Sequence, residues 1–152
     1  MNRLLILFFA IIINCIGTPA QKTSNMHNQA EILVSETQGG TQKQGFRILS
    51  NRQELADEIK ERYTASGQYP VIETPAFPKD KKVVVCYLGT FNSGDHKVKE
   101  ITSISAKDNI LYVEIPKYES GGMAIQVMSN PWFVFSVPSS YQFTSVQLKY
   151  SK

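Results

Sequence analysis

The sequence predicts a mainly β domain, a β-sandwich or barrel-like sheet with one amphipathic helix packed on it. Three observations carry that reading. Short strand-like segments recur at intervals of about ten residues, with turn residues between them. Two of these segments, 83–88 and 132–137, are apolar on both faces and so belong in the middle of a sheet. One stretch, 51–65, instead repeats its apolar residues at helical spacing.

Size and composition agree with one domain. A chain of 152 residues can bury a real core, and 42% hydrophobic with 19% charged residues decides against disorder. The formal charge of +3 is spread thinly, with Lys79-Asp80-Lys81-Lys82 as its densest basic run. That run reads as a solvated turn beside a strand. A nucleic-acid partner is not expected, because no basic stripe is visible.

The N-terminus reads as an export signal. Arg3 supplies the positive start, residues 4–13 the apolar run, and Thr18-Pro19-Ala20 a small-residue cleavage region. Ten residues are too few to span a bilayer as a mature helix. Two processing routes fit: a signal peptide over 1–20 cleaved after Ala20, or a lipoprotein signal ending before Cys15, which would then carry the lipid. Membrane contact is expected only through that anchor, and the protein is expected to be periplasmic, cell-surface or secreted. Residues 21–29 form a flexible polar lead, and 30–150 a single domain. Cys86 is left without an intramolecular partner, so no disulfide framework is expected. Its place in an apolar strand predicts a buried, inert thiol.

The elements follow in order. Residues 30–37 and 44–49 read as two strands joined by the turn residues Gln38-Gly39-Gly40-Thr41, predicting a hairpin. In the second, Phe46 and Ile48 alternate with Arg47 and Leu49, which predicts one well-buried face. The helix is expected to be capped by Ser50 with Gln53 in the capping-box position. Leu55, Ile59 and Tyr63 then make the buried stripe, widened by Ala56, while Asp57, Glu58, Lys60, Glu61 and Arg62 cover the other sides. Ser66-Gly67 ends it. Pro70, Pro75 and Pro78 mark the connector over 68–82, since proline resists both helix and central strand. Beyond the turn at 92–95, the segment 97–104 is the weakest strand. Its Val98, Ile101 and Ile104 are unevenly spaced, which predicts a bulge. Residues 110–115 alternate cleanly, and 122–128 would place Met123, Ile125 and Val127 on one face. Residues 143–150 close the domain with Val146, Leu148 and Tyr150 inward.

Signals for chemistry are thin. The histidines are His27, in the polar lead, and His96, in a turn, which does not support a multi-histidine zinc site. A triad of Ser93, Asp95 and His96 would crowd three residues on one turn, without a nucleophile elbow or oxyanion hole. No phosphate loop or dinucleotide fingerprint is present, so no cofactor is expected. The aromatic set Tyr118, Trp132, Phe133, Phe135, Tyr141 and Phe143 reads mainly as core. Trp132 is the member expected near a rim, since it follows Asn130-Pro131 at a strand start. Glu119-Ser120-Gly121-Gly122 is a second exposed tip.

With these residues laid out, the chain resembles the C-terminal domain of the PrcB family, accessory subunits of a protease complex. The marks run in order over roughly 46–148. A strand ending in glycine (83–89) leads to the turn Ser93-Gly94-Asp95-His96, where the family usually has Thr/Ser-Gly-Gly-Tyr. A strand pair follows, then the Gln-Val-Met-x-Asn-Pro-aromatic stretch from Gln126 to Trp132, and a strand ending Val137-Pro138. Asp95 therefore stands for a glycine and His96 for a tyrosine. The resemblance implies an exported, often lipid-anchored protein without catalytic residues, which assists a surface protease by binding it.

The expected function is thus a non-enzymatic protein-binding module contacting an envelope or secreted protein, such as a protease. Its contact residues are expected at Asn92, Ser93, Gly94, Asp95 and His96, with Trp132 as a further candidate. The histidine would make binding sensitive to pH between about 5 and 8. Competing readings are a secreted protease inhibitor, a hydrolase using Asp95 and His96, and a carbohydrate or surface-adhesion domain using Trp132.

Overall fold

The computed structural model describes residues 30–68, 73–92, 95–118 and 127–151. The expectations placed on 1–29, including Cys15, Ala20 and His27, lie outside the described residues. So do Pro70, Ser93, Gly94, the tip 119–122 and most of the segment 122–128.

The elements are β1 (Glu31–Glu36), β2 (Gln44–Leu49), α1 (Arg52–Ala65), β3 (Lys81–Leu88), β4 (Ser103–Lys107), β5 (Ile110–Pro116), β6 (Trp132–Pro138) and β7 (Ser145–Ser151). They make a mainly β fold of two sheets with one helix alongside. The first sheet is antiparallel in the order β1-β6-β3-β2, and the second has the order β4-β5-β7. Within the second, β4 runs antiparallel to β5 while β7 runs parallel to it.

The two continuously apolar runs take the middle of the first sheet, as their sequence requires. Val83, Val84, Val85, Phe133, Val134 and Phe135 have no exposed surface. Alternation then sorts their side chains between two cores. Val83, Val85, Trp132 and Val134 meet Leu55 and Ile59 of the helix. Val84, Cys86, Leu88, Phe133, Phe135 and Val137 meet Ile104, Leu111, Val113, Ile115 and Phe143 on the other side. The first sheet is therefore the middle layer, covered by the helix on one face and the second sheet on the other. At about 1.5–3 kcal/mol for each fully buried large apolar side chain, β3 and β6 supply the dominant share of the burial.

The predicted hairpin of β1 with β2 does not form. Glu31 to Glu36 pair with β6 and Gln44 to Leu49 with β3, so the two strands occupy opposite edges of one sheet. The segment between them crosses the sheet end and is pinned there. Trp132 donates its indole N–H to the Gln38 carbonyl at 2.8 Å, Arg62 Nη1 donates to the Gly39 carbonyl, and Gly40 N donates to the Asn130 carbonyl at 2.8 Å. Gly39 has φ of +98°, and a Cβ there would lie 2.1 Å from the Arg62 carbonyl oxygen. Glycine is thus required for close approach to the helix end, and the turn signal had a different cause.

Other expectations shift by smaller steps. The helix cap is Asn51: its side chain accepts from Glu54 N at 2.9 Å, and the Glu54 carboxylate accepts from Ser50 N at 2.9 Å. The cap lies one residue later than Ser50 and Gln53, and the returning bond from Glu54 goes past the cap to Ser50 N–H, with an anionic side chain suited to the helix N-terminus. The segment 97–104 is not a bulged strand. Its first residues are irregular, Val98 is buried, and the strand begins only at Ser103. In β2 only Leu49 is buried, while Phe46 and Ile48 each keep 37% of their surface exposed. Tyr150, expected inward, is 43% exposed.

The largest departure concerns Glu58 and Arg62, expected on the solvated side of the helix. They are 2% and 8% exposed. Glu58 accepts from Tyr87 Oη at 2.5 Å and from Arg47 Nη1 at 3.1 Å, and its other ion pair is to Arg62 Nε at 3.1 Å. The Arg62 Nε–H is not aimed at that oxygen, so charge rather than an aligned hydrogen bond holds this pair. Arg62 also pairs with Glu61 and lies 5.6 Å from the Tyr87 ring centre. A buried cluster of ionic groups therefore sits beside the apolar stripe between helix and sheet.

Candidate functional site

The site grows from the end of β3. Rigid pairing on both sides carries that strand to Leu88, and Gly89 then turns the chain with φ of +85°. Phe91 is fixed just beyond by a two-way bridge to Ser129, each N–H donating to the other's carbonyl at 2.9 Å. Past Asn92, Asp95 turns the chain again, its Oδ1 accepting from Lys97 N at 2.9 Å. Such a side-chain-to-backbone bond is how aspartate stabilises a tight turn. Val98 then anchors the segment in the core, and Lys97 Nζ reaches Glu36 at 3.4 Å at the end of β1.

His96 sits within this frame against aromatic rings. Its imidazole stacks on Phe91 with centroids 3.7 Å apart, and lies tilted against Tyr118 at 4.3 Å. The sequence offered no signal for this contact, since Phe91, His96 and Tyr118 share no spacing that marks a cluster. Beside the ring lies a groove of about 590 Å³. Its lining contains the buried Leu88, Val98 and Ile115 together with the exposed Tyr118 and Tyr150. Lys97, Lys99 and Lys117 line it as well, against the carboxylates of Asp95 and Glu100. The groove thus combines an apolar base with closely mixed charge of both signs.

Of the predicted contact residues, Asp95 and His96 are brought together on this groove, with Asn92 exposed just before them. Ser93 and Gly94 lie outside the described residues. Trp132 is elsewhere, and its expected place at a rim is corrected: it is wholly buried, with its ring edge-on to Tyr63 at 5.9 Å. Its strand start is flanked by Glu36 of β1 and Tyr87 of β3, and the helix layer covers it. Sequence reasoning missed Lys97, Lys99, Lys117 and Tyr150 as lining residues. Only folding brings the chain end beside the turn after β3.

The groove's described lining supplies no serine, threonine or cysteine as a nucleophile. Cys86 is 1% exposed, and burial pushes its thiol up to about 12, so at neutral pH it stays protonated and enclosed. Among the described residues no three His, Cys, Asp or Glu side chains gather as metal ligands, and no helix is long and apolar enough to cross a membrane. No family model matches the chain, and neither the curated proteins nor the solved structures include a match.

Proposed function

We propose that this protein is an exported, non-enzymatic protein-binding module, and that the groove beside His96 is its contact surface. The observation that carries this is the clamped turn itself. Asp95 and His96 project from a turn tied to the most deeply paired strand, to Glu36 and to two aromatic rings. Recognition loops held on a rigid scaffold lose little entropy on binding. Tyrosine and histidine rings above an apolar base, with lysines and carboxylates around them, suit a protein surface of mixed charge. The PrcB-like motif order supports the same reading and suggests an envelope protein, a surface protease among the options, as partner. The carbohydrate reading rested on Trp132, which is buried.

The test is a variant carrying Asp95→Ala, His96→Ala and Tyr118→Ala, compared with wild type in pull-downs from the envelope fraction. The expected result is loss of a partner recovered by wild type, with the thermal midpoint changed by only a few degrees. Recovery of the same partner in the same amount removes the groove from the account.

A further inference from the structure

A second surface, sharing no lining residue with the groove, is built into the edge of the first sheet. β2 pairs with β3 through six consecutive residues and lies at the end of the order β1-β6-β3-β2. Phe46 stands in register with Cys86 and Ile48 with Val84, so all four point to the side covered by the second sheet. Cys86 and Val84 are 1% and 0% exposed, yet Phe46 and Ile48 are each 37% exposed. Among the described residues, the second sheet therefore covers β3 and stops short of β2, and no strand pairs with the outer edge of β2. That leaves an apolar shelf beside a strand edge.

The opposite edge is protected, and the contrast is informative. β1 carries a register shift between Ile32 and Val34, and its acidic ends are tied to Lys81 and Lys97. Bulges and charges are the usual means of blocking unwanted strand pairing. β2 has an unbroken register, no proline and no acidic residue. Its charge is one-signed: Lys43 precedes it, Arg52 follows it, and Arg47 lies between Phe46 and Ile48. Arg47 points to the helix face, where its side chain remains 53% exposed although paired with Glu58.

These features specify an occupant. We infer that β2 accepts an added antiparallel strand from a partner protein, with an acidic residue opposite Arg47 flanked by apolar residues opposite Phe46 and Ile48. Backbone hydrogen bonds would give affinity, while the alternate side chains set specificity. For a second copy of β2, the register that faces Phe46 with Ile48 is disfavoured, because it sets Arg47 opposite Arg47 and like charges directly opposed are destabilising.

The test uses the full chain, labelled for amide hydrogen exchange and NMR, with capped synthetic peptides. The first peptide is Ser-Thr-Val-Glu-Val-Thr-Ser. It is expected to protect amides within 44–49 and to leave the groove resonances of Lys97 and Tyr118 unmoved. Replacing its Glu by Lys should weaken binding about tenfold, from exchanging an attractive for a repulsive cross-strand pair. Methylating alternate backbone nitrogens of the peptide should abolish binding without altering any side chain. Ile48→Thr, a change at a half-covered position, should weaken it too. No protection at millimolar peptide, or equal binding by the N-methylated peptide, overturns strand addition. Protection of 44–49 that rises with protein concentration alone assigns the edge to a second copy and overturns the stated occupant.

Discussion

Replacing Glu58 by alanine should cost far more than an ordinary helix-surface change, and the structure sets the amount. The carboxylate is 2% exposed and is shared by Arg62, Arg47 and Tyr87. Removing it strands Arg62, whose side chain is only 10% exposed. Breaking a buried ion pair from one side costs about 3–5 kcal/mol, because the remaining charge is left uncompensated. Arg62 keeps Glu61 and the Gly39 carbonyl, which places the cost at the low end, about 3 kcal/mol. Arg47 is half exposed and can return to water, so Arg47→Ala should cost under about 1 kcal/mol. A Glu58→Leu, Arg62→Leu double variant should be more stable than Glu58→Ala, since no unpaired charge remains. Urea unfolding of wild type and these variants reads the differences, and adding the Glu58→Ala, Arg47→Ala double variant closes a double-mutant cycle on that pair. Tyrosinate absorbance gives an independent check. Desolvation and then the Glu58 hydrogen bond and charge hold the Tyr87 hydroxyl well above its ordinary range. In Glu58→Ala that hydroxyl should therefore ionise at lower pH. A Glu58→Ala loss below about 0.5 kcal/mol, the scale of surface substitutions, or one equal to Arg47→Ala, refutes the buried cluster.

Three further predictions concern the fold. Leu55→Ala and Ile59→Ala should each lose about 2–4 kcal/mol in denaturant unfolding, as both side chains are buried against the sheet; losses under about 0.5 kcal/mol would mean the helix docks by another face. Gly39→Ala should lose about 2 kcal/mol or more, since it combines a positive φ with a Cβ against the Arg62 carbonyl, and a near-neutral result would misplace the 37–43 crossing. Stability should fall as pH rises from about 9 to 12: burial raises Cys86 from 9.0 to about 12, and burial with the Glu36 bond raises Tyr63 from 10.0 to about 12. The unfolded chain then releases these protons first, so their contribution is complete below the unfolded pKa values and lost on the way up. Urea midpoints at pH 8 and 11 measure this, with Cys86→Val expected to flatten the earliest part; an unchanged midpoint would mean the thiol and phenol are exposed.

What the sequence disclosed and what it hid follow from range. The helix and the strands 83–88, 110–115 and 132–137 are local patterns, readable because burial on one or both faces leaves a period in the residues themselves. Pairing is not local. The glycines at 39 and 40 looked like a hairpin turn, yet Gly39 is demanded by an Arg62 carbonyl that no nearby residue announces. Glu58 and Arg62 looked like a solvated face because charge is usually outside; their mutual pairing with Arg47 and Tyr87 requires the sheet to be in place. Trp132 looked terminal because proline precedes it, although two neighbouring strands and the helix enclose it. In the groove, Asp95 and His96 were readable as a polar turn. The rings that hold His96 and the lysines beside it come from segments that only the fold assembles.

The measurement that bears most directly on the binding reading is photo-cross-linking in intact native cells from single positions. A photoreactive residue at position 99, exposed on the groove, is compared with one at position 53, exposed on the helix. A binding groove predicts that position 99 links to one protein species, that position 53 does not, and that Asp95→Ala with His96→Ala removes the link. Equal linking from both positions, or a link from 99 that survives the double variant, would contradict it.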